Sequence, residues 1–276
     1  MPLPAPSLCT KALFRGERVP FSVGTWGGVY HPRGRGYHPQ VMATLLLVRH
    51  GQASFGATKY DRLSPTGEEQ SRRLGAYFAR IGQPIDVIYT GPRQRQIRTA
   101  ELAAEVMRDQ GLRVPDPIVV PELDEVAAED VLQEQLPRLL AENPKLQKLV
   151  QTVTSGASSR AIDEVVAEIA AMWLRGEIRA DGLETWEAFS NRVERCLEDI
   201  IANASKGQRV LAFTSGGTIG ASIRYVLGLD PERTLRLAQI IRNTSLTEVI
   251  FSGRRLTLAT FNALPHLENP SLVTYR

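Results

Sequence analysis

Cysteine is nearly absent from this 276-residue sequence: Cys9 and Cys196 are the only two. Two distant thiols make neither a disulfide framework nor a metal-ligand spacing, and no metal or other cofactor is expected from them. Cys196 falls inside a helical pattern, as a buried free thiol would. The lack of cysteine pairing fits a reducing compartment, so a cytoplasmic location is expected. Long apolar runs are also missing. No window approaches the ~18 apolar residues of a membrane helix, which excludes a membrane partner of that kind. A charge excess is missing too, once the chain is taken in segments. The formal net charge is +3. Residues 1–41 hold five of the 33 basic residues and one of the 30 acidic ones, leaving 28 against 29 in the rest. No basic face for nucleic acid is implied. At 43% hydrophobic and 23% charged, the composition is that of an ordinary globular chain.

Residues 1–41 are the least foldable part. They carry six Gly, six Pro and no sustained apolar period, so a disordered basic leader is expected there. Met42 stands two residues before the first apolar run and is a candidate functional start. A transit peptide is the rival reading, since the leader is Arg-bearing and acid-poor. Its Gly/Pro density opposes the amphipathic helix such peptides form.

From residue 42 on, one α/β domain is expected. Thr44 to Val48 is a short apolar run that stops at Arg49-His50-Gly51, and it suits a strand buried on both faces. Thr66 to Glu69 fits a capping box with Thr66 as N-cap. Leu74, Tyr77, Phe78 and Ile81 then share a helix face that Gly82 ends. Ile85 to Tyr89 reads as a strand. Thr90-Gly91-Pro92 turns into a helix, with Pro92 in its first turn. Ile118 to Val120 is a third strand, followed by Glu122-Leu123-Asp124-Glu125. Residues 126–184 are rich in Ala, Leu and Glu and read as a helical insertion, broken at Thr154-Ser155-Gly156. Trp186, Phe189, Val193, Leu197 and Ile200 line a long helix. Arg209 to Phe213 is a strand, Thr214 to Thr218 a turn into another helix, and Leu246 to Phe261 a hairpin. Strands alternating with helices imply a mostly parallel sheet with helices on both faces and the insertion beside its active-site end.

The chemistry-bearing residues sit where strands end, which is where ligands bind in open α/β sheets. His50 follows the first strand, Arg95 begins the helix after the second, Glu125 follows the third, and Ser215-Gly216-Gly217 follows the fourth. Two guanidiniums suit a phosphoryl group bidentately, and a helix N-terminus adds backbone N–H groups. Each has a plainer alternative: a solvated Arg-His pair, a solvated helix arginine, an acidic turn, a turn serine. Arg93, Arg98, Arg72 and Arg73 are expected to be solvated, and His31 and His38 receive no role.

These motifs, in this order over about residues 44–266, resemble the histidine phosphatase (phosphoglycerate mutase-like) superfamily. Leu47 to Gly51 is similar to its Arg-His-Gly signature, and Leu63 to Gly67 with Gln70 to its Leu-Thr-x-x-Gly-x-x-Gln segment. Gly91 to Arg95 with Thr99-Ala100 resembles its Ser-Pro-Leu-x-Arg…Thr-Ala block, and Leu123-Asp124-Glu125 its Leu-x-Glu. Phe213 to Thr218 aligns with Val-Ser-His-Gly-Gly, and Asn262 to Leu267 with a C-terminal His-Leu element. The resemblance implies phosphoryl transfer to His50 from a small phosphorylated metabolite. Arg49 and Arg95 would hold the phosphoryl oxygens, with Ser215 and Gly216 adding donors. Glu125 would act as acid and then base, and no metal would be needed. His50 would attack as a neutral imidazole whose other nitrogen donates to a backbone carbonyl. The departure is Ser215, which stands where the family has a second histidine. A neutral hydroxyl replaces a charge-assisted donor, which implies a slowed phosphatase or a phospho-ligand binder. His266 could supply the missing imidazole from elsewhere, with a surface or packing histidine as the plainer reading.

Overall fold

The computed structural model describes residues 42–54, 61–126, 128–154, 159–178 and 182–275. The disorder expected for 1–41 and the break expected at 154–156 lie wholly or partly outside them. Six strands form one sheet: β1 (Ala43–Arg49), β2 (Val87–Thr90), β3 (Ile118–Val119), β4 (Arg209–Thr214), β5 (Leu246–Ser252) and β6 (Arg255–Ala263). Their spatial order is β3-β2-β4-β1-β5-β6. β1, β4, β2 and β3 run parallel, and the β5–β6 hairpin adds antiparallel beside β1.

Alternation along the central strands divides the core in two. Leu45 and Leu47 of β1, with Val210 and Ala212 of β4, pack toward α6 (Trp186–Asn203) and α7 (Gly216–Leu227). Leu46 and Val48, with Leu211 and Phe213, pack toward α1 (Pro65–Ile81) and α2 (Gln94–Asp109). The middles of both strands, Leu45 to Val48 and Val210 to Phe213, are apolar without a break because helices cover both faces. β3 is a two-residue edge strand whose Ile118 and Val119 are exposed, and its shortness blunts the edge.

The expected insertion is helical: α3 (Ala128–Glu142), α4 (Pro144–Thr154) and α5 (Ser159–Leu174). It has a small core of its own in Leu139, Leu146, Met172 and Ile178. Three local readings change. The N-cap of α1 is Ser64, not Thr66, because Pro65 fills the first helical position and the Ser64 hydroxyl accepts from Gly67 N–H at 3.0 Å. Pro92 precedes α2 rather than opening it, since Arg93 is the cap. Pro231–Ile240 forms a further helix, α8, capped by Asp230, which the sequence reading passed over. No described helix is long and apolar enough to cross a membrane.

Candidate active site

β1 and β4 are neighbours whose carboxyl ends lie side by side, with Arg49 opposite Thr214. The chain leaves β1 with His50 N–H donating to Thr214 O at 2.8 Å. The next residue must be glycine: a Cβ on Gly51 would meet the Gly67 carbonyl oxygen at 2.5 Å. Gly51 N–H donates to Thr99 Oγ1 at 3.0 Å, which fastens the turn to α2. From the other side, Thr244 N–H reaches Arg49 O at 3.0 Å and Asn243 Nδ2 reaches His50 O at 3.1 Å. Thr244 makes that contact from the left-handed region, at φ 56°, an uncommon place for a β-branched residue.

The His50 ring is therefore aimed by its backbone. Its Nδ1 lies 2.7 Å from Gly51 O. A carbonyl only accepts, so Nδ1 carries the proton and Nε2 keeps its lone pair. Burial, then the positive charges of Arg49 and Arg95, hold its pKa well below the ordinary 6.5; the Gly51 carbonyl pulls the other way. The imidazole is neutral at physiological pH.

The arginines come from separate elements. Arg49 ends β1 and donates to Tyr275 O at 2.8 Å and to Ile241 O. Arg95 stands in the first turn of α2, 3% exposed, and pairs with Asp61 at 3.3 Å. Glu125 follows a 3-10 turn at Pro121–Leu123 that four side chains hold. Thr214 Oγ1 donates to Leu123 O at 2.6 Å and Thr218 Oγ1 to Asp124 O at 2.9 Å. Arg93 Nε donates to Asp124 Oδ1 at 2.5 Å and its NH2 to Glu125 O at 3.1 Å. Arg192 donates to Glu122 O at 2.6 Å and forks onto Glu184 at 2.9 and 2.7 Å. The Glu125 carboxylate then accepts from Gly217 N–H at 2.8 Å and from Val126 N–H at 3.0 Å. A Cβ on Gly217 would run into that carboxylate.

Arg49, His50, Arg95, Glu125, Gly216 and Gly217 share the polar end of one cavity of about 330 Å³. The other two candidates sit differently. Ser215 is the N-cap of α7, 1% exposed, beside the cavity and not in its lining, and its Oγ accepts from Gln96 Nε2 at 2.8 Å. His266 is buried behind the β1 turn. Its Nε2 lies 2.9 Å from Thr244 Oγ1, whose own proton goes to Asn243 O. His266 Nε2 is thus the donor, and burial lowers its pKa to about 3, with Arg73 adding to the effect. It buttresses the turn and is not part of the described lining.

Arg93 corrects an expectation. It is a half-buried clamp on the Glu125 loop rather than a solvated helix arginine, because α2 points its N-terminus at that loop. Arg98, Arg72 and Arg73 do lie exposed in pairs with Glu101, Glu68 and Glu69. Gln96, Arg192 and Thr244 were missed. Gln96 is adjacent to Arg95, which is a weak local hint. Arg192 and Thr244 act on residues more than 60 positions away, and no local pattern marks them.

The family model described as the histidine phosphatase superfamily (branch 1) matches residues 45–152 and 132–264. A 2,3-bisphosphoglycerate-dependent phosphoglycerate mutase from Thermobifida fusca is 41% identical over 70 residues, 23% of this chain and 28% of that protein. This chain therefore spans under a third of that relative's length. Among solved structures, a phosphoserine phosphatase mutant from Entamoeba histolytica, in complex with phosphoserine, superposes with a TM-score of 0.55 at 20% identity. That match covers 82% of this chain and 100% of that one. A putative α-ribazole-5′-P phosphatase from Escherichia coli gives 0.54 at 18% identity, covering 80% and 97%. The structures share the fold, and the family-model match over most of the body places the chain in the histidine phosphatase superfamily, branch 1.

Proposed function

We propose that the protein is a phosphomonoester hydrolase working through a phosphohistidine intermediate on a small phosphorylated substrate. The observation that carries the reading is the His50 Nδ1–Gly51 O contact, which leaves Nε2 unprotonated in a cavity shared with two guanidiniums. Nε2 attacks phosphorus and the P–O ester bond breaks, while Arg49 and Arg95 balance the charge on the phosphoryl oxygens. Glu125 gives its proton to the departing alkoxide. As a carboxylate it then takes a proton from water, whose oxygen attacks phosphorus. The P–N bond breaks, and phosphate and neutral His50 are released. Phosphatase and mutase are both names carried by the similar proteins; hydrolysis is favoured because a mutase needs a lasting phosphohistidine and a pocket shaped for phosphoglycerate.

A second reading, a phospho-ligand binder with little turnover, draws on Ser215. Its hydroxyl is neutral, buried and taken up by Gln96. The loss of one transition-state donor costs on the order of 10²–10³ in rate. The test is turnover of p-nitrophenyl phosphate with and without chelator, together with trapping of an acid-labile, base-stable phosphoenzyme. Chelator-insensitive turnover lost in His50→Ala supports the hydrolase. Phosphate-dependent thermal stabilisation without turnover or phosphoenzyme supports the binder, and turnover that survives His50→Ala overturns the mechanism.

A further inference from the structure

The cavity has two unlike ends. Its floor is the phosphoryl site. Its walls are mostly apolar: Ile169 and Trp173 of α5, Ile178 and Leu183 of the following chain, and Trp186 and Phe189 of α6. The side formed by α8 adds Leu235 and Ala238, with Thr234 and Gln239 as its uncharged polar groups. The three aromatic rings form one cluster, with centroids 5.5 to 6.1 Å apart. Trp173 and Trp186 are only partly buried, so their faces are not wholly spent on the core. The Trp173 indole N–H donates to Glu184 O at 2.7 Å and is turned away from a ligand. Among the described lining residues, the only Lys or Arg side chains are Arg49 and Arg95, both on the floor. Arg192 lies 5.1 Å from the Phe189 ring, outside the lining, and forks onto Glu184.

We infer that the site takes phosphomonoesters of apolar, uncharged alcohols of about aryl size, in preference to phosphates of carboxylated metabolites. This rests on the reading of the floor as a phosphoryl site. With the phosphate on the arginines, the alcohol portion is directed among the Trp, Phe, Ile and Leu side chains. An aromatic or branched apolar group gains by leaving water there and stacks edge-on to the rings. A carboxylate at the same place is desolvated with no Lys or Arg of the described walls beside it and shares the cavity with Glu125. The volume of about 330 Å³ is at the small end for a ligand pocket, which fits one or two rings rather than a long chain.

The test compares benzyl phosphate with phosphoserine and 3-phosphoglycerate. All three leave as alkyl alcohols, so leaving-group acidity does not dominate the comparison. A parallel arm measures calorimetric binding of benzylphosphonate and phosphonoacetate, which needs no turnover. Benzyl phosphate is expected to have the higher kcat/KM by at least about tenfold, a ratio typical of apolar-pocket discrimination. Equal or better turnover of the carboxylated esters overturns the substrate class and leaves the hydrolase standing. No turnover of any ester, with benzylphosphonate bound at least about tenfold tighter than phosphonoacetate, overturns the hydrolase and supports the class. Equal binding without turnover overturns both. Ile169→Arg, which puts a cation in the wall, is expected to shrink the benzyl-to-phosphoserine ratio. Ile169→Ala, the gentler change, is expected to lower kcat/KM for benzyl phosphate alone. A ratio unmoved in both folded variants overturns the assignment of this wall.

Discussion

The amide of Gln96 donates to the hydroxyl of Ser215 across 2.8 Å, with both side chains buried. We propose that this pair fills the place where the family carries a second imidazole. Ser215→Ala leaves that amide buried without its acceptor and is expected to cost about 1–3 kcal/mol, read by urea denaturation. Ser215→His alone is expected to lose stability by a similar ~1–3 kcal/mol through overpacking. Combined with Gln96→Ala, which opens the space, it is expected to raise turnover of an aryl phosphate. A gain in the single variant, or none in the double, would show that the pair does not stand in for the imidazole.

The pH dependence of rate follows from His50. Its pKa lies well below 6.5 because burial and the guanidiniums disfavour the cation. The acid limb of kcat/KM reports the free enzyme. With His50 as the nucleophile, no loss beyond that of the substrate's own phosphate ionisation is expected as pH falls through 6.5, and the limb assigned to the imidazole lies well to the acid side. Arg95→Met, which removes one cation, is expected to move that limb toward neutrality. The substrate's own second phosphate ionisation, at ~6, is measured separately, and a further limb near 6.5 in the unaltered enzyme contradicts the neutral, buried imidazole.

Stability has its own pH dependence, and His266 contributes to it. Its pKa is about 3 folded and about 6.5 unfolded, so below 6.5 the unfolded chain binds a proton the folded one refuses. Stability is expected to fall as pH drops from 6.5 toward 3, by about 2 kcal/mol at pH 5 from this residue. His266→Gln removes the titration. Denaturation at pH 7.5 and pH 5 should show a smaller difference in the variant than in the unaltered protein.

Gly217 and Glu125 form a coupled pair, because the Gly217 N–H seats the carboxylate and a Cβ would displace it. Glu125→Gln is expected to lower kcat by ~10²–10⁴, the usual worth of a general acid–base. Gly217→Ala is expected to lose activity through the same group. The double variant should then be no slower than Glu125→Gln alone. Additive losses would mean that the glycine serves the phosphoryl group directly.

By itself, the sequence determined the alternation of strands and helices, the burial of β1 and β4 on both faces, and the strand-end positions of His50, Arg95, Glu125 and Ser215. These are local matters: period, breaker residues and the apolar run before Arg49 express them within a few residues. The helix N-caps slipped because Ser64 and Arg93 each beat a neighbour by one backbone hydrogen bond or one proline. The tertiary structure alone decided which side chains meet. Arg93 and Arg192 come from different helices to clamp the Glu125 loop, Gln96 reaches Ser215 across 119 positions, and His266 retires behind Thr244. It also decided that the insertion turns Ile169 and Trp173 onto the cavity that holds Arg49, His50 and Arg95. Long-range contacts depend on how packed layers are oriented, and that orientation is a property of the whole core rather than of any window of residues.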